Sequence, residues 1–280
     1  MPGNLVSATL RHGLFTRIVG QRLLFFQELT STMDEGARQA ESGAVEGTVV
    51  VAEMQTASRG RFQRHWVSRQ GNLYFSVVFR PPLEALPLLS VVGGVAVARA
   101  IRQTTGLNPG IKWPNDVLLD GKKVAGILVE SVLEGETVRY AVVGIGLNVS
   151  LDTGQVPEIA SFATSLNAAA GRPVSREELL RRLLEDLDAL YFQLAREPVK
   201  SVAPRKSPLA EWKGLLETLG KRVQVSWHGE TYIGQAEDVD AIGQLLLRAD
   251  DGRLVILSAG DVSLAKPSSS VGGNDSKVSR

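Results

Sequence analysis

Two short apolar runs on either side of a long basic connection constrain the fold of this chain more than any other feature. Residues 48–52 and 73–79 are rich in Val, Phe and Tyr, a composition typical of buried β-strands. No acidic residue occurs between Glu53 and Glu84. The arginines of the connection are Arg59, Arg61, Arg64 and Arg69. Because compact domains tolerate so long a loop mainly when it is functional or disordered, we interpret it as a mobile anion-binding loop; the alternative is a solvated loop that binds nothing.

Composition excludes several classes of protein. The chain has 280 residues, 44% of them hydrophobic, and a formal net charge of +1, as expected for one large globular domain or two unequal ones. It contains no Cys, so it has no thiolate nucleophile, and its three His are too far apart in sequence for a metal motif. The first 21 residues contain no signal-peptide core, and the longest apolar run, around residues 86–98, is too short for a bilayer. We therefore expect a cytoplasmic protein with no membrane partner.

The N-terminal half predicts an alternation of strands and helices. A short apolar segment at residues 23–28 precedes a helix over residues 35–42, with Ser31 or Thr32 as its N-cap. After the two strands and the basic loop, a close-packed helix runs to residue 103 and ends at Gly106.

The next region predicts a β-hairpin. Asp120-Gly121 between apolar runs is a strong turn signal and places Lys122 and Lys123 at the start of the returning strand. Upstream, Lys112-Trp-Pro-Asn-Asp116 suggests an edge strand with a solvated Asp, because Pro cannot donate in a central strand. A strand over residues 139–143 leads into Gly144-Ile-Gly-Leu-Asn148, which lacks the third Gly and the helix of a dinucleotide-binding fingerprint.

The C-terminal half predicts two helices and then a small β-barrel. Ser175 and Glu178 form a capping box for a leucine-striped helix to about Arg196, and a second helix lies near residues 209–219. The short strands that follow are predicted at residues 222–227, 231–239, 244–248 and 253–257. From Pro267 onward the composition indicates disorder.

Four segments together resemble the biotin protein ligases in order and spacing. They are Gln55-Thr-Ala-Ser-Arg-Gly-Arg61 with Trp66, Lys112-Trp-Pro-Asn-Asp116, Lys123-Val-Ala-Gly-Ile-Leu-Val-Glu130 and Gly144-Ile-Gly-Leu-Asn148. The resemblance implies an α+β fold in which a central mixed β-sheet flanked by helices, of the class II synthetase-like type, is followed by a small SH3-like β-barrel. It divides the chain into an N-terminal segment (1–22), a catalytic ligase domain (23–218), the barrel (219–265) and a disordered tail (266–280).

The resemblance also implies an activity and its partners. The expected reaction is ATP-dependent ligation of biotin, through biotinyl-5'-AMP, to a lysine of a biotin carboxyl carrier protein domain of a carboxylase. ATP and biotin are then substrates, with Mg²⁺ as the cofactor. Because only 30 residues precede Ser31, we expect a monofunctional form without the N-terminal DNA-binding domain that some members carry. A homodimer through the central sheet is a further expectation.

Motif matching assigns the residues of the expected site. The catalytic residues are Lys123, Arg61 and Asp116. The biotin-binding residues are Ser31, Thr32, Gln55, Arg59, Gly60, Arg61, Trp66, Lys123 and Gly126. The ATP-binding residues are Arg59, Arg61, Arg64, Trp66, Lys112, Asn115 and Asn148. The role of Asp116 stays open between orienting the ligands, binding Mg²⁺ and deprotonating the incoming lysine.

The chain departs from the family pattern at several positions. Ser58 and Gln63 stand where Gly is common, and Met33 replaces an Asn beside the biotin site. No Trp lies between residues 151 and 166 to stack on adenine, which leaves Phe162 as the aromatic substitute.

Two other functions are weighed against the ligase. Lipoate ligases and octanoyltransferases share a related catalytic fold, but they are not expected to combine the segment 112–116 with the Arg59-Gly60-Arg61 loop. A noncatalytic module that binds anions or nucleic acid would show a broad basic face and salt-sensitive binding without ATP use, which a net charge of +1 does not favour.

Overall fold

A seven-stranded mixed sheet forms the main layer of the protein. The computed structural model describes residues 13–196 and 207–265. The strands are β1 (Leu23–Leu29), β2 (Val49–Gln55), β3 (Leu73–Phe79), β4 (Gly110–Lys112), β5 (Asp116–Leu119), β6 (Lys122–Glu134) and β7 (Thr137–Leu147). Their order is β1-β2-β3-β7-β6-β5-β4, with β1 parallel to β2 and all other neighbours antiparallel. This arrangement agrees with the predicted α+β class.

Helices cover both faces of this sheet. They are α1 (Thr32–Glu41), α2 (Leu89–Thr105), α3 (Leu166–Ala170), α4 (Arg176–Arg196) and α5 (Pro208–Leu215). α1 packs on β3 and β7 through a small apolar cluster that contains Met33 and Val142, whereas α2 and α4 belong to the main core on the other face. α2 approaches the sheet closely, since a Cβ on Gly93 would lie 3.0 Å from the side chain of Ile127. The predicted close-packed helix is confirmed, and Gly106 ends it with a φ of +78°.

The helical stretch Leu83–Thr105 is longer than the apolar run suggested. Within the described ranges it is the one helix whose length and composition would suffice to cross a membrane, so the prediction that this run is too short is wrong. Most of its apolar window is buried inside the protein, however. Burial of this kind is what a core helix shows, because its apolar side chains already contact the sheet and α4.

The predicted hairpin forms, but the preceding segment differs from the prediction. Asp120 and Gly121 have φ values of +50° and +74°, which suit the tight turn between β5 and β6. The edge strand is β4 rather than β5, because β5 lies between β4 and β6. Pro114 follows a cis peptide bond in the connection from β4 to β5, where no ladder hydrogen bond is needed. Asp116, predicted to be solvated, is instead paired with a lysine, as described below.

A five-stranded antiparallel sheet follows α5. Its strands are β8 (Arg222–Trp227), β9 (Glu230–Val239), β10 (Leu245–Ala249), β11 (Leu254–Leu257) and β12 (Asp261–Leu264), in the order β11-β10-β9-β8-β12. The sequence did not predict β12. The helix predicted over residues 209–219 ends at Leu215, because the chain then pairs with β4: Glu217 N donates to Ile111 O at 2.8 Å.

Trp113 joins the small sheet to the large one. Its side chain is buried, its Nε1 donates to Gly243 O at 2.9 Å, and its backbone N donates to Thr218 Oγ1 at 2.9 Å. One continuous apolar cluster includes side chains of both sheets. The predicted boundary between residues 218 and 219 stays a prediction, and the predicted disordered tail 266–280 lies outside the described residues, as do residues 1–12.

Candidate active site

A cavity of about 470 Å³ brings the predicted site residues together. It lies between the start of α1, the basic loop, strands β5 to β7 and the first residue of β12. Its volume is within the range of about 300–1,000 Å³ that is common for small-molecule sites. Every residue predicted for the site is in its lining: Ser31, Thr32, Gln55, Arg59, Gly60, Arg61, Arg64, Trp66, Lys112, Asn115, Asp116, Lys123, Gly126 and Asn148.

The start of α1 supplies one polar end of the cavity. Ser31 caps the helix, since its Oγ accepts a hydrogen bond from Met33 N at 3.1 Å. Gln55 Oε1 accepts hydrogen bonds from Thr32 N at 2.7 Å and from Thr32 Oγ1 at 3.1 Å. Ser76 Oγ donates in turn to Thr32 Oγ1 at 2.8 Å. These bonds fix the orientation of the hydroxyl and amide groups that were predicted to bind biotin.

Glycines on β6 and β7 make room for the indole of Trp66. A Cβ on Gly146 would lie 2.7 Å from Trp66 Cε2, closer than side chains tolerate, and one on Gly126 would make a tight contact of 3.0 Å with Cζ3. Lys123 Nζ is 5.1 Å from the centroid of the Trp66 ring, a distance that suits a cation–π contact. Trp66 Nε1 is buried and has no hydrogen-bond partner within the described part of the chain.

The side chains of Lys123 and Arg61 are held in place by oxygen acceptors of neighbouring residues. Lys123 Nζ lies 2.7 Å from Asp116 Oδ1. Arg61 Nη1 donates to Asn115 Oδ1 at 3.1 Å and to Gly260 O at 3.2 Å, and burial lowers the pKa of the Arg61 guanidinium. The side chains are therefore positioned before any anion arrives, which is what electrostatic preorganisation requires.

The small sheet contributes Asp261 to the site. Arg64 Nη2 and Nη1 donate to Asp261 Oδ2 and Oδ1 at 2.6 and 3.2 Å. The hydrogen bonds from Arg64 hold the pKa of the Asp261 carboxyl below its ordinary value. Arg64 was predicted to serve ATP, and the structure now adds the carboxylate that orients it.

The basic loop forms a short hairpin over residues 58–66. Gly60 N donates to Arg64 O at 2.7 Å, and Trp66 N donates to Ser58 O at 3.2 Å. The hydroxyl of Ser58, at a position where the family commonly has Gly, donates to Trp66 O at 2.6 Å and so ties the base of the hairpin. At the tip Phe62 and Gln63 have φ values of +56° and +57°, a region that Gly adopts at less cost than other residues.

Asn148 contributes an amide to the cavity lining. Its Nδ2 donates to Thr164 O at 3.1 Å, while its Oδ1 is buried and has no partner in the residues that the structure describes. Lys123 N donates to Phe162 O at 2.7 Å, which places the half-exposed ring of Phe162 beside this part of the cavity. An unpartnered acceptor and an aromatic ring are suitable contacts for a nucleobase.

Sequence reasoning missed three features of the site. Asp261 was overlooked because β12 was not predicted. Gly144 and Gly146 belonged to a recognised motif, but the sequence prediction assigned them no structural role. Their spacing of two residues places both on one face of β7, against Met33 and Trp66 respectively. The spacing of the two glycines in a predicted strand could have indicated a sheet surface without side chains, with room for two bulky residues above it.

The carboxylates of the cavity suit a Mg²⁺ ion that is bound mainly through the phosphates of a nucleotide. No group of three or more His, Asp or Glu side chains that could hold a metal occurs in residues 13–196 and 207–265. Asp116 and Asp261 are the acidic residues in the lining, and each is paired with a cation. Mg²⁺ usually binds through one or two carboxylates together with substrate phosphates. The residues therefore fit an ion held mainly by a nucleotide, not an ion held by protein ligands alone.

Comparison with known proteins defines the class first. Residues 24–148 match the Biotin/lipoate A/B protein ligase family, and residues 218–265 match the Biotin protein ligase C terminal domain. The chain belongs to the biotin protein ligases of this family. The resemblance drawn from the four sequence segments is thereby confirmed, and so is the predicted fold.

Particular relatives support this assignment. The "Bifunctional ligase/repressor BirA" of Bacillus subtilis (strain 168) is 36% identical over 270 residues, which cover 94% of this chain and 80% of that protein. A Mycobacterium tuberculosis protein named as a biotin-[acetyl-CoA-carboxylase] ligase is 35% identical over 234 residues, which cover 81% of this chain and 82% of the relative. The structure of a biotin protein ligase from Aquifex aeolicus in complex with biotin and ATP has a TM-score of 0.72 at 29% identity, covering 88% of this chain and 100% of that one.

Proposed function

We propose that this chain uses ATP to ligate biotin to a lysine of a carrier protein through biotinyl-5'-AMP. The observation that carries the proposal is that all the residues predicted to bind biotin and ATP line the same cavity. The similar Aquifex aeolicus structure holds biotin and ATP, and a Leishmania major biotin protein ligase of 26% identity holds biotinyl-5-AMP. The match to the biotin protein ligase C-terminal domain favours biotin over lipoate or octanoate as the acid.

In the first step the biotin carboxylate attacks the α-phosphorus of ATP. A P–O bond forms to the carboxylate while the bond to the β-phosphate breaks, so pyrophosphate leaves with the electron pair. Bringing two like charges to about 4 Å costs roughly 4 kcal/mol at an effective dielectric constant of about 20, and one or two fixed cations offset a repulsion of this size. Lys123 and Arg61 are the cations already held at the cavity, and Arg64 adds a third.

In the second step a carrier lysine attacks the carbonyl carbon of the mixed anhydride. An amide bond forms, AMP leaves, and the amine loses a proton. Asp116 has three candidate roles, which are to orient the ligands, to bind Mg²⁺ with the ATP phosphates and to accept that proton. When bound, Mg²⁺ supplies charge neutralisation on the phosphates.

The partner that we propose is a biotin carboxyl carrier domain of a carboxylase. This is supported by relatives from Mycobacterium tuberculosis and Paracoccus denitrificans that are named as biotin-[acetyl-CoA-carboxylase] ligases. A homodimer, the lack of a DNA-binding domain and a cytoplasmic location remain predictions.

The experiment that tests the proposal is exchange of labelled pyrophosphate into ATP with Mg²⁺, run in parallel with biotin, lipoate and octanoate. It isolates the first step from the acceptor. The Lys123→Ala variant should lose about 100-fold or more of the biotin-dependent rate, a loss of the size seen when a group that stabilises transition-state charge is removed. Lys122→Ala is the matched control, because Lys122 is exposed on the same strand and does not line the cavity.

Each outcome discriminates between the functions. Biotin-dependent exchange that only the Lys123 variant loses establishes the adenylating activity. Exchange with lipoate or octanoate in place of biotin assigns the chain to the related ligases. No exchange with any acid in folded protein supports a noncatalytic binding module.

A further inference from the structure

The side chain of Arg59 is engaged by two carboxylates. Its Nε and Nη2 donate to Glu130 Oε1 and Oε2 at 3.1 and 2.9 Å, a bidentate contact. Its Nη1 donates to Asp34 Oδ1 at 2.7 Å. The hydrogen bonds and charges from Glu130, and then those from Asp34, raise the pKa of the guanidinium further above its ordinary value. A phosphate or carboxylate ligand would have to displace two acids to reach this group.

The two acids come from different elements. Asp34 lies in the first turn of α1, whose N-cap Ser31 lines the cavity. Glu130 lies on β6, whose Lys123 and Gly126 line the cavity. Neither Asp34 nor Glu130 is itself in the lining. The contact with Arg59 therefore fastens the basic loop to two walls of the site from outside it.

The position of Arg59 in the hairpin means that its contacts with Asp34 and Glu130 attach the hairpin to α1 and β6. Arg59 is paired with His65, one position inside the base formed by Ser58 and Trp66. The other side of the hairpin is attached to the small sheet through Arg64 and Asp261. Release of Arg59 would leave the hairpin held by Arg64 and by the hydrogen bonds of Arg61 to Asn115 and Gly260, and would free it from α1 and β6.

We propose that Asp34 and Glu130 are positioning residues that hold Arg59 and thereby keep the hairpin closed while an acyl adenylate waits for its acceptor. This inference rests on the proposed function. An acyl adenylate reacts with water and with any amine unless a lid excludes them, so the lifetime of closure decides how much intermediate reaches the carrier. Under this proposal the Arg59 side chain fastens the loop, and the loop backbone covers the ligand.

The contact has a strength that suits a reversible latch. The side chains of Asp34 and Glu130 are 53% and 43% exposed, and that of Arg59 is 23% exposed. Ion pairs exposed to this degree contribute little each, and a bidentate pair with a second acid contributes more than either alone. The hairpin can then open on each turnover, which a deeply buried pair would prevent.

The experiment measures loss of the intermediate in the full-length protein. Wild type, Asp34→Asn, Glu130→Gln and the double variant are loaded with biotin, ATP and Mg²⁺ without a carrier and passed through a desalting column. Release of labelled biotinyl-5'-AMP and labelling of added Nα-acetyl-lysine are then followed with time. Each single variant should release the intermediate about fivefold faster, the factor expected for an exposed ion pair, while the pyrophosphate exchange rate stays within about twofold of wild type.

The matched control is Glu41→Gln. It breaks the ion pair of Glu41 with Arg139, which is exposed to a similar degree and joins the same helix α1 to β7 away from the cavity. Release should be unchanged in this variant. In an Arg59→Gln background, removal of either acid should have no additional effect, because the partner that the acids hold is already gone.

Several results would overturn the proposal. They are an unchanged release rate in the double variant, additive effects in the Arg59→Gln background, or lower KM values for ATP or biotin in the single variants. The last result would mean that the acids sequester an arginine that binds substrate. Absence of exchange in the wild type would refute the proposed function instead, so the two failures are distinguishable.

Discussion

The Nζ of Lys123 and the Oδ1 of Asp116 lie 2.7 Å apart, although the Cα partner of Lys123 in the sheet is Leu118. A register shift between Val117 and Leu118 separates this pair from the following ones, in which Val117 faces Ala125 and Asp116 faces Gly126. A β-bulge of this kind redirects side chains locally. Lys123, predicted to be catalytic and to bind biotin, is thus oriented by Asp116, whose own role is open.

Replacement of Asp116 by Asn should separate its candidate roles. Lys123 loses its charged partner, so we expect biotin-dependent pyrophosphate exchange to fall by about 10- to 100-fold. A higher Mg²⁺ requirement that accompanies this loss would indicate metal binding. Transfer from added biotinyl-5'-AMP to the carrier, measured without Mg²⁺ over a range of pH, reports on proton acceptance; a normal rate there removes Asp116 from the second step.

Replacement of Asp261 by Asn should weaken use of ATP. Without the bidentate carboxylate, Arg64 is no longer oriented toward the cavity, and we expect the KM for ATP to rise about three- to tenfold with a smaller change in the KM for biotin. Steady-state exchange kinetics at varied ATP give both values. Asp251→Asn is the control, since Asp251 pairs with Arg253 on the same small sheet outside the cavity lining. Equal effects of both variants would contradict the assignment.

Replacement of Gly146 by Ala should displace Trp66. The added Cβ would meet the indole at 2.7 Å, and overpacking of this kind costs about 1–3 kcal/mol. We expect the KM for biotin to rise by about tenfold and the tryptophan emission to shift, both measurable on purified variants. Gly214→Ala should change neither, because nothing lies within 4 Å of a Cβ at that position. A normal KM in the Gly146 variant would place biotin away from Trp66.

Replacement of Asp186 by Asn should change the pH dependence of stability. Asp186 faces Arg99 and the second acid Glu211 at the junction of α2, α4 and α5, and burial raises the pKa of its carboxyl above 3.8. Between 3.8 and the raised value the folded state binds more protons than the unfolded state, so this group makes the protein less stable as pH rises. The Asn variant should gain stability relative to wild type as pH increases.

Denaturant unfolding between about pH 4 and pH 7 measures this difference. Glu177→Gln, an exposed change on the same helix, serves as the control. A difference that is constant with pH would show that Asp186 is ionised equally easily in both states.

Local chemistry made much of the fold predictable. The β-branched runs became β2 and β3, the Asp120-Gly121 turn became the hairpin, and Ser31 became the cap of α1. The failures occurred where pairing at a distance overrode local preference. The predicted helix continues to residue 219, but Leu216 and Glu217 pair with Ile111 of β4 instead. The four residues of β12 have too little pattern of their own to stand out.

The site shows the same limit. Motifs predicted which residue types would gather in the cavity, because each motif carries chemistry in its own sequence. They could not predict the partners that orient those residues, which come from far along the chain: Glu130 is 71 residues from Arg59, and Asp261 is 197 residues from Arg64. Partner choice at such separations depends on strand order, which no single motif encodes.

The contacts of Trp113 couple the position of the small sheet to the groups that line the cavity. One five-residue segment, 112–116, presents Lys112, Asn115 and Asp116 to the cavity and hydrogen-bonds through Trp113 to the turn at Gly243. Any displacement of the small sheet is therefore transmitted to the groups that face the substrates. The C-terminal sheet therefore helps to hold the cavity in shape. An insertion or fusion that shifts this sheet should change the activity of the protein before it lowers the stability.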